Sequence, residues 1–586
     1  MNAVSDNIVH RVLHQAHVRP ASPAYVAMRQ GSWQTTDWRT YVHEIRCAAK
    51  SMIALGMQRG QRVAILGFNR PEWTIVDIAA MAAGGAPAGI YTTCSATEVQ
   101  YIVAHSEAPI VLVENAAQLA KVLAVRAQLP QLQHIVLMQG AENAAAPSDN
   151  IWSWQQFMAK GADANNDELD RRIDAIEQAD LATLIYTSGT TGPPKAVMLS
   201  HSNLAWTAST LVDIQGGSPD EVLLSYLPLS HIAEQMASIH VPATIGATVY
   251  FAESLEKIPD GLRAARPTLF FGVPRIWEKF HDVMQKKLSE VTGAKKHLLT
   301  WARSVASNVH RHKNAGRPVP RILQLQFQLA NKLVLHKIKS ALGFDRVRQC
   351  VTGAAPIARE ILEFFTSIDI PISEVYGQSE DSGPTTLNLP GRTKLGTVGV
   401  PIPGLQVRIA DDGEVMVKGP NVFMGYLKDQ AATDEILQDG WMASGDLGAF
   451  DRDGFLSITG RKKEIIITAG GKNITPKNIE AEIQRCQHIA DAVVIGDRRK
   501  FLTVLLTLKP EAIAKFGAAG LRDDIQAAID AANAHLARVE QVKKFTVLPD
   551  PFSTETGEYT PTMKLRRSAI AKKYAAQIDA MYAGAE

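Results

Sequence analysis

The chain is poor in cysteine, in net charge and in unbroken apolar runs. Its four cysteines, Cys47, Cys94, Cys350 and Cys486, lie far apart with no CxxC spacing. That argues against a disulfide framework and a cysteine zinc site, and it fits a reducing cytoplasm. Lys and Arg number 61 against 59 Asp and Glu. So even a balance sets up no global field for nucleic acid, and no nucleic-acid partner is expected. The longest apolar stretches are interrupted, 73–91 by Asp77 and several glycines, 236–251 by His240 and Pro242. Neither reads as a membrane span. Residues 1–7 carry no basic region and no apolar core, so no secretory signal is expected. The histidines offer no HExxH pattern. His10, His14 and His17, and the pair His310 and His312, read as packed or solvated helix faces rather than metal ligands. At 586 residues the chain is too long for one core and divides into two or more domains.

What is present is most concentrated in Tyr186-Thr187-Ser188-Gly189-Thr190-Thr191-Gly192-Pro193-Pro194-Lys195. The apolar residues Leu181, Leu184 and Ile185 before it read as a buried strand delivering a loop. Glycines let backbone N–H groups approach an anion, hydroxyls add donors, and the lysine adds charge. This is a polyphosphate grip. It is not the Walker loop, because Gly189 and Gly192 are too close and Ala196 follows the lysine.

The string resembles the phosphate-binding signature of the adenylate-forming superfamily, which includes acyl-CoA synthetases, luciferases and peptide-synthetase adenylation domains. Six further segments match in order: Leu227-Pro228-Leu229-Ser230-His231, Thr352-Gly353-Ala354-Ala355-Pro356, Tyr376-Gly377-Gln378-Ser379-Glu380, Ser444-Gly445-Asp446-Leu447-Gly448, Gly460-Arg461-Lys462-Lys463-Glu464 and Thr560-Pro561-Thr562-Met563-Lys564. The resemblance covers almost the whole chain. Ala196 stands where the superfamily usually has glycine, which would stiffen the loop exit. Ser379 stands where it usually has threonine and keeps the hydroxyl.

The resemblance implies a two-step reaction. A carboxylate attacks the α-phosphorus of ATP, and a thiol then displaces AMP from the acyl-adenylate. It implies that Thr187, Ser188, Gly189, Thr190, Thr191, Gly192 and Lys195 hold the β- and γ-phosphates. Glu380, with Thr190, holds Mg²⁺, a hard cation that takes oxygen ligands. Ser379 donates to the α-phosphate. Tyr376, followed by Gly377, offers a face to adenine opposite the backbone of Gly353, Ala354 and Ala355. Asp446 accepts from the ribose hydroxyls, and Arg461 fixes ribose and phosphate. Lys564 bridges the α-phosphate and the substrate carboxylate as the catalytic lysine of the first step. His231 shapes the junction of acyl carboxylate and thiol.

Short apolar runs alternate with helical segments through the first two-thirds, an α/β texture. Strands are expected at 62–66, 109–113 and 133–137, a helix from Pro71, and loops at 141–150 and 161–166. From about Val398 hairpins take over, one turning at Asp411-Asp412-Gly413 and one at Asp451-Arg452-Asp453-Gly454. The expected division is a large layered domain over 1–462 and a small mobile α+β domain over 463–586, with Lys463 at the hinge.

The acid is read from Phe271-Gly272-Val273-Pro274-Arg275-Ile276-Trp277-Glu278-Lys279, which resembles the gate region of long-chain fatty acyl-CoA synthetases; the wider pattern, including 227–235 and 560–566, resembles the long-chain or bubblegum-type branch. Trp277 is then the gate of an acyl tunnel, with a fatty acid and CoA as the other substrates. The segment 279–348 is rich in Lys and Arg, with Asp282 and Glu290 as its main acids. Leu298, Leu299, Trp301, Val305 and Val309 recur in it with helical spacing. That pattern reads either as a solvated helical face or as a basic amphipathic surface for peripheral contact with anionic membrane at the inner face. Two other readings share the motifs: a fatty acyl-AMP ligase that loads a carrier protein, and a non-catalytic nucleotide or lipid sensor. Oligomeric state is not encoded in any of these motifs.

Overall fold

The computed structural model describes residues 6–140, 149–162, 164–187, 193–469, 472–561 and 563–583. The fold is α/β, with a large layered N-terminal part and a small α+β C-terminal part. Its largest sheet has eight strands, in the order Gly425–Tyr426, Lys195–Ser200, Leu181–Thr187, Ala86–Ile90, Arg62–Leu66, Ile110–Val113, His134–Leu137 and Ile151–Ser153. Pairings from Leu181–Thr187 through Ile151–Ser153 are parallel. The short apolar runs expected as buried strands are these central ones, covered on both faces as a parallel sheet requires.

A second sheet joins Leu269–Gly272, Gln349–Thr352 and Ile372–Tyr376 in parallel, then Thr386–Leu387 and Val400–Pro401 antiparallel. Strand Leu181–Thr187 leads into the Gly- and Thr-rich loop, and Ile372–Tyr376 ends where the Tyr376–Glu380 motif begins. Ligands commonly sit outside such strand ends. The expected hairpins form as Gln406–Ile409 with Glu414–Lys418, and Trp441–Phe450 with Leu456–Arg461. The C-terminal part packs Ile489–Ile495, Leu502–Leu508 and Val542–Val547 against the helices Pro476–Ile483 and Arg522–Asn533.

Local chemistry explains several element ends. Pro71 opens the helix Pro71–Ala82, where its missing N–H is harmless. Ser95 and Glu98 form a reciprocal cap on Ala96–Ser106. Two expectations are corrected. Gly161 is not in a loop but in the helix Trp154–Ala162, where a Cβ would stand 2.0 Å from the Cys47 carbonyl oxygen. Ala196 does not stiffen a loop exit. It pairs with Tyr186 inside the sheet and is buried in the core. Of the expected 141–150 loop, 141–148 lie outside the described residues. Cys47, Cys94 and Cys350 are buried, and Cys486, in the C-terminal part, is half-buried. No helix among the described residues is long and apolar enough to cross a membrane.

Candidate active site

Thr187 and Lys195 face each other as register partners at the mouth of the strand pair that carries the loop, and the Thr187 hydroxyl donates to the Lys195 carbonyl oxygen at 3.4 Å. Ser188, Gly189, Thr190, Thr191 and Gly192 lie outside the described residues. The Lys195 ammonium sits 4.7 Å above the Tyr426 ring and 4.0 Å from Asp429. Tyr426 comes from the two-residue strand that pairs with Lys195–Ser200. Its hydroxyl donates to Glu380 Oε1 at 2.8 Å. Burial and the nearby Glu380 raise its pKa, so it stays a donor. One aromatic side chain thus orients both the lysine and the carboxylate.

Glu380 sits in the 3₁₀ turn Ser379–Asp381. That turn is held by the backbone N–H of Gln378 donating to Asp381 Oδ1 at 2.6 Å, while burial pushes the Asp381 carboxyl up to about 8. Glu380 makes no ion pair among the described residues, and its Oε2 is not engaged by Tyr426. A carboxylate oxygen with that freedom fits a hard divalent cation.

Asp446 is more crowded. Its Oδ2 accepts from Gln378 Nε2 at 2.6 Å and from the Tyr376 hydroxyl at 2.9 Å, and its Oδ1 lies 3.1 Å from Arg461 Nε. Asp446 and Arg461 are cross-strand partners, so the hairpin itself sets their pairing. Gly353 and Gly377 are required by packing. A Cβ would lie 2.7 Å from Val375 Cγ1 at Gly353 and 1.6 Å from the Gly383 oxygen at Gly377. Ala354 holds a left-handed φ of 67°, and Ala354 and Ala355 are exposed.

Lys564 reaches this cleft from the far end of the chain. Its turn is closed by Lys564 N–H donating to Thr560 Oγ1 at 3.0 Å and by a left-handed Met563. The turn is tied to the large part by the Thr93 hydroxyl donating to the Pro561 carbonyl at 2.7 Å. Enclosure in the cleft, then Arg461 and Lys477, lowers the ammonium pKa, while Asp446 and Glu380 oppose the shift. The residue keeps surface open to solvent, so the amine is walled in by charge rather than sealed in the core.

His231 faces the same lysine. Burial, then the Lys564 charge, pushes its imidazole down to about 4. Its Nδ1 accepts from the Ala233 N–H at 3.2 Å, which leaves Nε2 to carry the proton of the neutral ring. Behind it, Glu234 is buried among Ser225, Ser238 and Asn69, whose donors lie 2.7, 2.6 and 3.2 Å away, and burial pushes its carboxyl up to about 7.

Trp277 is wholly buried. Its Nε1 donates to the Gly272 carbonyl at 3.0 Å, and its rings pack on Phe270, Phe280, Phe344 and Phe365. Lys463 lies in the 3₁₀ turn Lys462–Glu464 with its amine exposed and 3.7 Å from Glu435. The neighbouring Lys462 is held harder, at 2.6 Å from Asp412 and 2.8 Å from Glu414. Sequence reasoning missed Tyr426, Gln378, Asp381, Glu234 and Lys477. Only Gln378 lay inside a recognised motif.

Solved structures match the fold along nearly the full length of the chain. The anthranilate CoA ligase AuaEII, solved with anthranoyl-AMP, covers 99% of the chain at 18% identity with a TM-score of 0.73. ATP-bound MatB from Rhodopseudomonas palustris covers 97% at 24% identity with a TM-score of 0.69. The fold is therefore that of the adenylate-forming enzymes. The sequence profile of the AMP-binding enzyme family matches residues 12–427, and that of the AMP-binding enzyme C-terminal domain matches 463–586. The chain belongs to the AMP-binding enzyme family. Among curated relatives, a long-chain-fatty-acid–CoA ligase, ACSBG2 of Xenopus laevis, is 40% identical over 98% of this chain and 83% of its own length. The long-chain-fatty-acid–CoA ligase FadD15 of Mycobacterium tuberculosis is 35% identical over 98% of this chain and 97% of its own length.

Proposed function

We propose that the chain is an ATP-dependent ligase that activates a long-chain fatty acid as its acyl-adenylate and transfers the acyl group to CoA, releasing AMP and pyrophosphate. The observation that carries this reading is the convergence of Lys564 with Asp446, Glu380 and Arg461 across more than a hundred residues of sequence. Relatives of 35–40% identity named as long-chain ligases support the choice of acid.

In the first step two anions are brought together, so positioning and charge neutralisation carry the catalysis. Thr187, Lys195 and the loop between them hold the β- and γ-phosphates. Glu380, with Thr190, would hold Mg²⁺, which would supply positive charge against the phosphates. Ser379 donates to the α-phosphate, and Tyr376 with Gly353, Ala354 and Ala355 brackets adenine. Asp446 orients the ribose. A carboxylate offers about four lone-pair sites; Gln378 and Tyr376 take two by hydrogen bonds and the Arg461 guanidinium lies against Oδ1 as an ion pair, so the ribose hydroxyls compete with these partners. Lys564 supplies positive charge between the α-phosphate and the attacking carboxylate. His231 enters as a neutral ring whose Nε2–H is a donor toward the acyl carboxylate, not as a base for the thiol.

The unit over 463–586 is the mobile one, pivoting at Lys463. Among the described residues, the contacts that hold it in the present arrangement include Thr93 with Pro561, Arg485 with Glu360 at 3.5 Å, Lys463 with Glu435 and the Arg275 guanidinium 5.9 Å over the Tyr559 ring. Trp277 acts as the acyl gate. Opening it breaks one hydrogen bond and swings an indole out of an aromatic cluster, so an acyl chain must repack that cluster as it enters.

A panel of fatty acids from short to very long, assayed for pyrophosphate release with and without CoA, tests the reading. CoA-dependent turnover that peaks with long chains is the expected result. CoA-independent stoichiometric adenylate would shift the assignment to an acyl-AMP ligase. No ATP consumption with any acid would leave only a sensor.

A further inference from the structure

The helical insertion after the gate carries an apolar stripe that nothing among the described residues covers. Helix Arg321–Ala330 and the π-helical segment Asn331–Leu335 that continues it have two apolar faces. One is used. Leu323, Phe327, Ala330 and Leu335 pack against Ala302, Val305 and Ala306 of the preceding helix Gly293–Asn314. The other runs through Ile322, Leu325, Leu329 and Leu333, at spacings of three and four residues. Their exposures are 74%, 65%, 51% and 39%. Four large aliphatic side chains on one exposed helix face form a contiguous patch, not the scattered single residues common on any surface.

The charge around the stripe identifies what fits it. Between residues 291 and 344 there are ten Lys and Arg and no Asp or Glu. Two of the ten turn inward: Arg303 donates to Ser367 Oγ at 2.9 Å, and Lys339 pairs with Asp369, which also holds His310. Arg317, Arg321, Lys332 and Lys337 remain exposed on or beside the striped helix. The apolar residues of Gly293–Asn314 expected on the surface are mostly packed: Leu299, Val305 and Val309 are buried, because this helix is the one clamped between its neighbours. Only Leu298 among them is exposed. The exposed apolar face therefore lies one helix later than the sequence pattern indicates.

We infer that Arg321–Leu335 seats Ile322, Leu325, Leu329 and Leu333 in the headgroup region of an anionic phospholipid bilayer, with Arg321, Lys332 and Lys337 on its phosphates. Basic residues flanking an apolar helix face are the chemistry of interfacial binding. A protein partner for so basic a surface would have to be strongly acidic and apolar at once, whereas a bilayer supplies both properties in register. The insertion also reaches the gate: Ile338 and Leu342, on the helix that follows, pack into the cluster around Trp277 and Phe344. A chain partitioned in the bilayer would thus be presented beside the gate.

The test is flotation of the full-length protein with phosphatidylcholine vesicles, with and without phosphatidylserine. Binding to the anionic vesicles should be at least about tenfold tighter and should weaken as salt is raised. The double variant Leu325→Asp with Leu329→Asp, and separately Arg321→Glu with Lys332→Glu, should each lower vesicle binding by on the order of tenfold or more. Turnover of a water-soluble short-chain acid should stay unchanged in both, which shows that they fold. Vesicle binding that ignores salt and both variants overturns the inference. So does a wild-type dimer in sedimentation that the Leu variants dissociate while vesicle binding is absent, since a second copy would then be the occupant. Because vesicle binding is read without turnover, this outcome is independent of which acid the enzyme activates.

Discussion

In the proposed first step Lys564 acts only as a cation, and its surroundings work against that charge. Lys564→Ala is expected to slow adenylation by about two orders of magnitude, on the order of 3 kcal/mol, while thioester formation from supplied acyl-adenylate persists. Equal loss in both half-reactions would remove the role. Because enclosure and then Arg461 and Lys477 lower its pKa, the ammonium discharges at a lower pH than a free lysine does. Adenylation therefore falls as pH rises through that lowered value. Lys477→Gln deletes one repulsion, so the alkaline limb of the pyrophosphate-release profile should move upward. A limb that stays in place would show that Lys477 does not act on this amine.

At the scale of elements, the two-residue strand Gly425–Tyr426 matters beyond its length. Tyr426→Phe keeps the ring beneath Lys195 and deletes the hydrogen bond to Glu380. A hydrogen bond to a charged group is worth about 2 kcal/mol, so kcat/KM should drop by about thirtyfold with a raised Mg²⁺ requirement. A loss of activity with the Mg²⁺ dependence unchanged would place the effect elsewhere. None of this was legible in the sequence. A lone Tyr in so short a strand acquires meaning only through pairing with Lys195–Ser200, some two hundred residues away. The central strands were legible because continuous apolar runs suit strands covered on both faces. The helix from Pro71 and both hairpins were legible because proline and Asp-Gly turns act locally. Gly161 was misread because glycine marks loops by local preference, whereas here the close approach of another helix demands it. The apolar spacing of helix Gly293–Asn314 was legible, but not that its neighbours pack most of that face. Periodicity shows that a helix has an apolar face, but only the neighbours decide which face is covered.

For the molecule as a whole, the cleft is built over a buried acid that is out of its element at neutral pH. Glu234 keeps its proton up to about 7 in the folded chain, against an ordinary 4.5. Below both values folded and unfolded chains bind the proton alike. Between them the unfolded chain ionises first, so stability falls as pH rises through that window and levels off above it. The full effect is about 3 kcal/mol. Glu234→Gln should flatten the slope in denaturant melts taken across pH 4.5 to 7. An unchanged slope would mean that other groups set the pH dependence.

The distribution of thiols has a practical side. Three of the four cysteines are buried, and burial raises the pKa of each. Cys486 alone is within reach of solvent, on the unit expected to swing. A maleimide dye added to the unaltered protein should therefore attach chiefly at one place. The chain carries its own optical handle, so the proposed rotation between half-reactions can be looked for in real time without engineering a single residue.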